Sequence, residues 1–564
     1  MNSNWRELVS QPKYGIKVEK NIYVTMRDGV RLALDVHRPD AGGKFPALLG
    51  MSAYGKDLQV LPLKTQSKGT GSQLWDGPIE AGDPQYIVPR GYVHVIGDFR
   101  GSGDSEGELM QGDPQQARDG YEVVEWIARQ PWCDGNVGML GISAFAAFQV
   151  RVAMEQPPHL KAIFPWEPHI DTEPTGVIGS GTWRIFSGRP MDPGGNNGSG
   201  MAPRNPVSTL MKRVGKEEFD KIQQERLKDP DLIQYSYFWS IARYTFKNPF
   251  FADQLLDPYG KYLQPMPAEL EKIKVPFFTG GPWLAGWAGD AFELFNRVNM
   301  PGKVLMGHPG EDVRPWRAQN EELIRWMDHW LKGIDTGYLD EPPIKMYVTG
   351  SDEWRYEREW PLAGTKWTKF YLRSWGRLLE EEARAHDDNE PDCFVQEPLS
   401  VTSEVKSVKY TTPPLPKDTT VIGPMAFYWH AAIDQEDTTW NVRLRDLDEY
   451  GKQTVVCPPQ QYDLSDRCWI RASYRTLDEK RSQPWRPWHI NKRELCIPGQ
   501  IYQNAMGLDS TSHVFKAGHH IQIEICCMDA VPGYLHVCNN KTTLHKIYHS
   551  KEHPSYLLLP VIPE

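Results

Sequence analysis

The stretch Gly138-Met139-Leu140-Gly141-Ile142-Ser143-Ala144-Phe145-Ala146 decides the fold. An apolar run enters a glycine, a serine comes after one further residue, and small and apolar residues suited to a helix follow. This is the layout of a nucleophile elbow, the sharp strand-to-helix turn that lifts a serine Oγ clear of a sheet. The usual elbow has a small residue two before the serine and another two after it. Gly141 fills the first position. Phe145 stands in the second, with the small residues at Ala144 and Ala146 instead.

The segments on either side agree with an elbow. DGYEVVEWIARQPWC (119–133) carries apolar residues at helical spacing, AAFQVRVAMEQ continues the elbow as a helix, and LKAIFPWEP (160–168) reads as a strand. Upstream, PALLGMSAYG (46–55) and YVHVIGDFRGSGDSEGEL (92–109) are buried strands running into loops. NIYVTMRDGVRLALDVHRP (20–38) alternates about an Asp28-Gly29 turn, as a β-hairpin does. Strands alternating with helices in this way imply a parallel sheet covered on both faces. Between about 171 and 272 the character changes, from a Gly/Pro/Asn-rich loop to charged helical segments rich in Tyr, Phe and Trp, which is the pattern of an inserted helical cap. VPFFTGG (275–281) and KVLMG (303–307) restore the strands, and AQNEELIRWMDHWLKG (318–333) closes with a helix. From PIKMYVTG (343–350) onward, short strands broken by Pro, Gly and Asn read as a separate β-sandwich. There are no internal repeats and no low-complexity tract.

A chain of 564 residues is too long for one hydrophobic core, so two or three domains are expected. Hydrophobic content of 40% and charged content of 24% are those of a soluble globular protein. A net charge of -10 without a Lys/Arg cluster speaks against nucleic acid. No apolar run reaches the roughly 20 residues that span a bilayer. MNSNWRELVSQPKYG lacks an apolar signal core, so a cytoplasmic protein is expected. Eight cysteines, at 133, 393, 457, 468, 496, 526, 527 and 538, follow no metal-site spacing and are expected as free thiols. The 21 tryptophans and 46 prolines fit a β-rich portion and aromatic-lined pockets. A small molecule is the expected partner, and a homodimer is left open.

Six motifs in chain order, MRDGVRLALDVHRP, SAYGK, DFRGSGDSEGE, QPWCDGNVGMLGIS, DEWRYEREWP and FKAGHHIQIEI, resemble the cocaine-esterase-like hydrolases. These share their architecture with the X-prolyl dipeptidyl-peptidase group of α/β-hydrolases. The resemblance spans nearly the whole chain. It implies an α/β class protein with an α/β-hydrolase core at 1–170 and 273–345, a helical cap at 171–272, and a C-terminal jelly-roll β-sandwich at 346–564. It also implies acyl hydrolysis by a Ser-Asp-His triad without a cofactor or metal. Ser143 matches the nucleophile, Tyr54 in SAYGK matches the tyrosine whose hydroxyl holds the oxyanion, and Ala144 supplies the backbone N–H donor.

The other two triad positions depart from that pattern. In GGPWLAGWAGDAF, matching Trp283 and Gly289 puts Ala285 where the aspartate belongs. In GHPGEDVRPW, counting from Gly307 puts Glu311 at the histidine position, with His308 three residues earlier. A serine hydroxyl needs a base within hydrogen-bond reach to act as a nucleophile. His308 is therefore read as a displaced base, with Glu311, Asp312 and Asp290 as nearby carboxylates. Trp166, His169, Trp283 and Trp287 sit at strand ends and are read as substrate contacts. DFRGSGDSEG lacks a dinucleotide fingerprint and is expected to be a structural loop, with Asp98 and Arg100 tied into local hydrogen bonds.

Three functions fit these residues. The first is an enzyme acting on an ester, lactone or amide of a small, largely apolar metabolite through an atypical triad. The second is a non-hydrolytic cyclase, isomerase or lyase of a biosynthetic pathway using the same pocket, with Glu311 or Asp312 as a buried base. The third is a pseudoenzyme that binds its ligand without consuming it.

Overall fold

Strands that are apolar at every position need cover on both faces, and the apolar runs of this chain obtain it. The structure, a computed structural model, describes residues 5–61, 80–110, 112–168, 170, 204–233, 236–258, 260–263, 268–283, 288–308, 319–398, 401–454, 465–490, 492–528 and 541–563. Ten strands form the first sheet: β1 Ile16–Thr25, β2 Arg31–Pro39, β3 Phe45–Ser52, β4 Val93–Asp98, β5 Cys133–Ile142, β6 Leu160–Trp166, β7 Phe277–Pro282, β8 Gly302–Gly307, β9 Ile344–Val348 and β10 Glu353–Glu357. Their order is β1-β2-β4-β3-β5-β6-β7-β8-β9-β10. The sheet is mixed. Every neighbouring pair from β4/β3 to β8/β9 is parallel, and β1/β2, β2/β4 and β9/β10 are antiparallel.

The helices are α1 Trp5–Leu8, α2 Pro84–Ile87, α3 Gln115–Ala128, α4 Ala144–Met154, α5 Thr209–Val214, α6 Lys216–Arg226, α7 Pro230–Ile233, α8 Ser236–Arg243, α9 Pro249–Leu256, α10 Ala288–Arg297 and α11 Asn320–Lys332. Alternate strand residues go to opposite helix layers, as the pleat requires. Ala47, Leu49 and Met51 of β3 join Val137 and Met139 of β5 against Val123, Val124 and Ile127 of α3 and Phe148 of α4. Leu48, Leu140 and Ile142 face the other way, against Leu323, Ile324 and Met327 of α11. Fully burying each such side chain contributes about 1.5–3 kcal/mol. The hairpin expected at Asp28-Gly29 closes with the Met26 N–H donating to Val30 O at 2.8 Å and Gly29 at φ 85°, a left-handed conformation that glycine takes without strain.

The cap helices α5–α9 enter between β6 and β7 and have a core of their own, with Leu210, Phe219, Leu232, Phe238, Phe251 and Leu255 packed together. Asp253 of α9 ties that core by accepting from the Ser208 hydroxyl and from the Thr209 N–H at 2.6 Å. The Gly/Pro/Asn-rich loop that precedes these helices lies outside the described residues up to Pro203.

The C-terminal unit is rich in strands, as the Pro- and Gly-broken pattern implies. β11 Lys366–Arg373, β12 Arg377–Leu379, β13 Asp392–Gln396, β14 Ser407–Thr411, β15 Thr419–Ile433, β16 Thr439–Leu447, β17 Ser465–Arg471, β18 Tyr502–Phe515, β19 His520–Cys526, β20 Thr543–Tyr548 and β21 Tyr556–Ile562 pair in the order β13-β20-β15-β21-β11-β12-β14-β19-β16-β17, with β18 joined to β15. The β12–β14 contact is parallel and the other pairs are antiparallel.

The first sheet runs past the boundary expected at 346. β9 pairs in parallel with β8, and β10 pairs with β9, so the hydrolase sheet extends to Glu357. The inward residues Ile344, Met346 and Val348 pack on Val304, Met306 and Trp283, which draws the segment into the first unit. Thr349 then joins the units. Its N–H donates to Ser512 O at 3.0 Å, and its carbonyl accepts from the Val514 N–H at 2.9 Å.

The loop after β4 is structural, as expected. Arg100 donates to both carboxylate oxygens of Asp119 at 2.6 Å and to Asp28 at 2.9 Å. Arg100 and Asp119 are buried, and removing one partner of a buried pair strands the other charge. Asp119→Ala should lower stability by about 3–5 kcal/mol in urea denaturation, and the double change Arg100→Met/Asp119→Leu should recover most of that loss.

Candidate active site

The turn from β5 to α4 has the geometry its sequence implies. Gly141 has φ 145°, and a Cβ there would collide with the Cβ of Phe145. One glycine therefore admits a large residue two positions after the serine. The Phe145 ring turns away to Ala81 and Ile96, and meets Tyr54 edge-on with ring centroids 6.2 Å apart. Ser143 sits at φ 57°, ψ −114°, a conformation that costs a non-glycine residue on the order of 1–3 kcal/mol and persists only where the surroundings impose it. Those surroundings are specific. The Ile142 N–H donates to Glu80 O at 3.0 Å, the Ser143 N–H donates to Trp166 O at 3.0 Å, and Ser143 O accepts from the Ala147 N–H at 2.9 Å. Buried Gln149 adds a clamp, donating to the carbonyls of Gly141 and Phe145 and accepting the Phe164 N–H at 2.9 Å. Serine is a favoured helix cap, yet the Ser143 side chain makes no cap bond to α4. Ala144 opens α4, where the first N–H groups have no partner within the helix and can face an anion.

Tyr54 follows β3, its N–H donating to the Ser52 hydroxyl at 3.0 Å. Two residues on, the Lys56 N–H donates to Asp98 Oδ1 at 2.7 Å, and Asp98 Oδ2 accepts the Asp104 N–H at 3.0 Å. Lys56 Nζ lies 2.8 Å from Asp104 and 3.5 Å from Asp35. Burial disfavours its charge, but these carboxylates together with Asp98 and Asp57 outweigh that and raise its pKa. For Asp98 burial wins over the two N–H donors and Lys56, and its carboxyl is pushed up from 3.8 to about 6. The segment carrying Tyr54 thus hangs on a buried carboxylate.

The remaining candidates fall into four groups. Trp166 and Trp283 serve the core. Trp166 is 1% exposed and stacks on Phe164 and Phe278. The Trp283 indole donates to Tyr347 O at 2.8 Å, and its ring lies against Phe292 and Trp360. His308 follows β8 with its ring edge-on to Tyr347 of β9, centroids 4.8 Å apart. His169, Ala285, Trp287, Glu311 and Asp312 lie outside the described residues. Asp290, in the first turn of α10, accepts the Ile170 N–H at 3.2 Å.

One residue at this edge was not picked out from the sequence. Glu167, next after β6, is 3% exposed and sits at φ 52°. Its signal was a carboxylate closing an otherwise apolar strand, opposite the glycine pair Gly280-Gly281 of β7. Among the described residues, no group of three or more His, Cys, Asp or Glu could hold a metal ion, and no helix is long and apolar enough to cross a membrane. Cys133, Cys393 and Cys496 are free thiols.

A mixed sheet in this strand order, with a strained serine between its fifth strand and the following helix, defines an α/β-hydrolase. Residues 28–311 match the X-Pro dipeptidyl-peptidase (S15 family) model, and residues 336–558 match the X-Pro dipeptidyl-peptidase C-terminal non-catalytic domain. The chain belongs to this family of serine esterases and peptidases. A protein of Mycobacterium bovis provisionally named a serine esterase is 26% identical, covering 98% of this chain and 96% of its own length. The cocaine esterase of a Rhodococcus species is 24% identical, over 97% of this chain and 98% of that protein. Among solved structures, a CocE/NonD family hydrolase from Staphylococcus aureus superposes with a TM-score of 0.74 at 23% identity, covering 100% of this chain and 98% of that one, which bears on the fold alone.

Two outcomes follow from the local geometry. Gly141→Ala should destabilise the fold by about 2–5 kcal/mol, read from the urea midpoint, because the new Cβ is both crowded and strained. The Asp98 carboxyl holds its proton more tightly folded than unfolded, so native protein binds more protons between pH 3.8 and about 6. Measured against Asp98→Asn, wild type should be relatively most stable at the acid end of this range and lose that margin as pH rises to about 6.

Proposed function

We propose that the chain hydrolyses an ester, lactone or amide of a small, largely apolar carboxylic acid. Ser143 Oγ attacks the acyl carbon, and the oxyanion is held by the Tyr54 hydroxyl and the Ala144 N–H. The observation that carries this reading is Ser143 itself, held at φ 57° in the sharp turn between β5 and α4. The ring contact between Tyr54 and Phe145 supports it, because it places the tyrosine beside the first turn of that helix. The names of the relatives support the reaction class, since a cocaine esterase and X-Pro dipeptidyl-peptidases both cleave acyl bonds. The aromatic residues of the cap segment favour an apolar acyl group. No cofactor enters the reaction.

A second reading, a cyclase, isomerase or lyase in the same pocket, draws support from the imidazole of His308 leaning on Tyr347 and from Ala285 and Glu311 at two triad positions. The two readings differ in what Ser143 does. Under hydrolysis, a fluorophosphonate probe forms an adduct on Ser143, and Ser143→Ala loses p-nitrophenyl ester turnover by on the order of 10⁴-fold or more. Under the second reading, the folded protein gives no adduct, and Ser143→Ala keeps most of its turnover of the true substrate.

A further inference from the structure

β5 and β6 are parallel neighbours, with Ile142 in register with Trp166. The next residues of the two strands are Ser143 and Glu167, which leaves them about 5 Å apart along the hydrogen-bonding direction. Both leave the sheet with positive φ, 57° and 52°. Such a conformation is uncommon outside glycine, and strained residues of this kind gather at active sites. Two of them side by side at the C-terminal edge of a hydrolase sheet call for a common reason.

Glu167 is also buried, at 3% exposure. β7 holds it in place and makes room for it. The Glu167 N–H donates to Gly280 O at 2.7 Å. A Cβ on Gly281 would lie 3.2 Å from Glu167 Cγ, and one on Gly280 would lie 3.0 Å from the Trp166 ring. Gly281 therefore clears space beside the Glu167 side chain, while Gly280 lets β7 pass close to Leu305 O. β7 leads on to position 285, where the family resemblance implies an aspartate and this chain has alanine.

We infer that Glu167 is a catalytic carboxylate of the Ser143 site, delivered from β6 where the resemblance implies an acid after β7. The inference rests on the acyl-transfer reading above. Glu167 acts as the general base. As Ser143 Oγ bonds to the acyl carbon, its proton passes to the carboxylate. When the acyl carbon–leaving atom bond breaks, Glu167 returns that proton to the leaving oxygen or nitrogen. Water then attacks the acyl-serine, again giving its proton to Glu167, which hands it back to Ser143 Oγ as the acid departs. The net change is acyl compound plus water to acid plus alcohol or amine. Other titratable groups that the described residues bring to this end of the sheet are Glu80 beside the elbow, Asp290 on α10, Tyr54 after β3, His308 after β8, and Asp98 at the end of β4 with Lys56 and Asp104 beside it.

The test uses the full chain, p-nitrophenyl butyrate as substrate and a fluorophosphonate as probe. Glu167→Gln keeps the shape of the side chain and removes its basicity. It should lower kcat by about 10²-fold or more with KM within about threefold, abolish the acidic limb of the kcat/KM profile, and slow probe labelling of Ser143, while the thermal midpoint stays near wild type. If Glu167→Gln hydrolyses and labels at the wild-type rate with the wild-type pH profile, while Ser143→Ala is inactive, the role of Glu167 is overturned and the serine reading stands. If wild type neither labels nor hydrolyses, or Ser143→Ala is as active as wild type, the serine reading fails and takes this inference with it. Should Glu167→Gln not fold, Glu167→Asp decides. A lowered kcat with the acidic limb retained supports the base, and an unchanged kcat overturns it.

Discussion

The pairing of β5 with β6 governs the active end of this molecule. It places the Ser143 N–H on Trp166 O, so the serine cannot relax out of its strained conformation without breaking the edge of the sheet. Gly141 makes the same turn sterically open, and Gln149 closes it from the helix side through three main-chain contacts. The elbow is thus over-determined, which is the condition for strain to survive in a folded protein.

A second set of constraints acts on the opposite wall. Tyr54 is carried on a short segment whose main chain is fixed to Asp98, and the loop after β4 wraps that carboxylate so closely that a Cβ on Gly103 would collide with it. Lys56 and Arg100 then supply positive charge to a neighbourhood crowded with Asp35, Asp57, Asp104, Asp28 and Asp119. Charge in the loop after β4 therefore does mechanical work, holding the tyrosine against the elbow helix.

Where periodicity or turn chemistry reports on a single element, the sequence was readable. The Asp28-Gly29 turn, the uniformly apolar β3 and β5, the helical spacing of α3 and the elbow all follow from local rules. What was not readable depends on partners distant in sequence. PIKMYV has the alternation of any half-buried strand, and only its pairing with β8 assigns β9 to the hydrolase sheet. Tryptophans at strand ends can face a pocket or a core with the same flanking residues, and the ring stack with Phe164 and Phe278 decides for Trp166. The direction of the His308 ring is set by Tyr347 on a strand about forty residues away. Glu167 was not picked out because neither its burial nor its backbone conformation is written in its neighbours.

The mixed cluster beneath β8 and β9 has a consequence for biosynthesis. Trp283, Val304, Met306 and Ile344 are packed with Ile422 and Val514, which come from β15 and β18. A ribosome that has completed the hydrolase sheet still leaves those side chains uncovered until β18 has emerged. That one cluster of the hydrolase half is therefore completed only by strands made late in synthesis. The C-terminal unit, non-catalytic in the family's description, is by this argument a structural completion of the enzyme half.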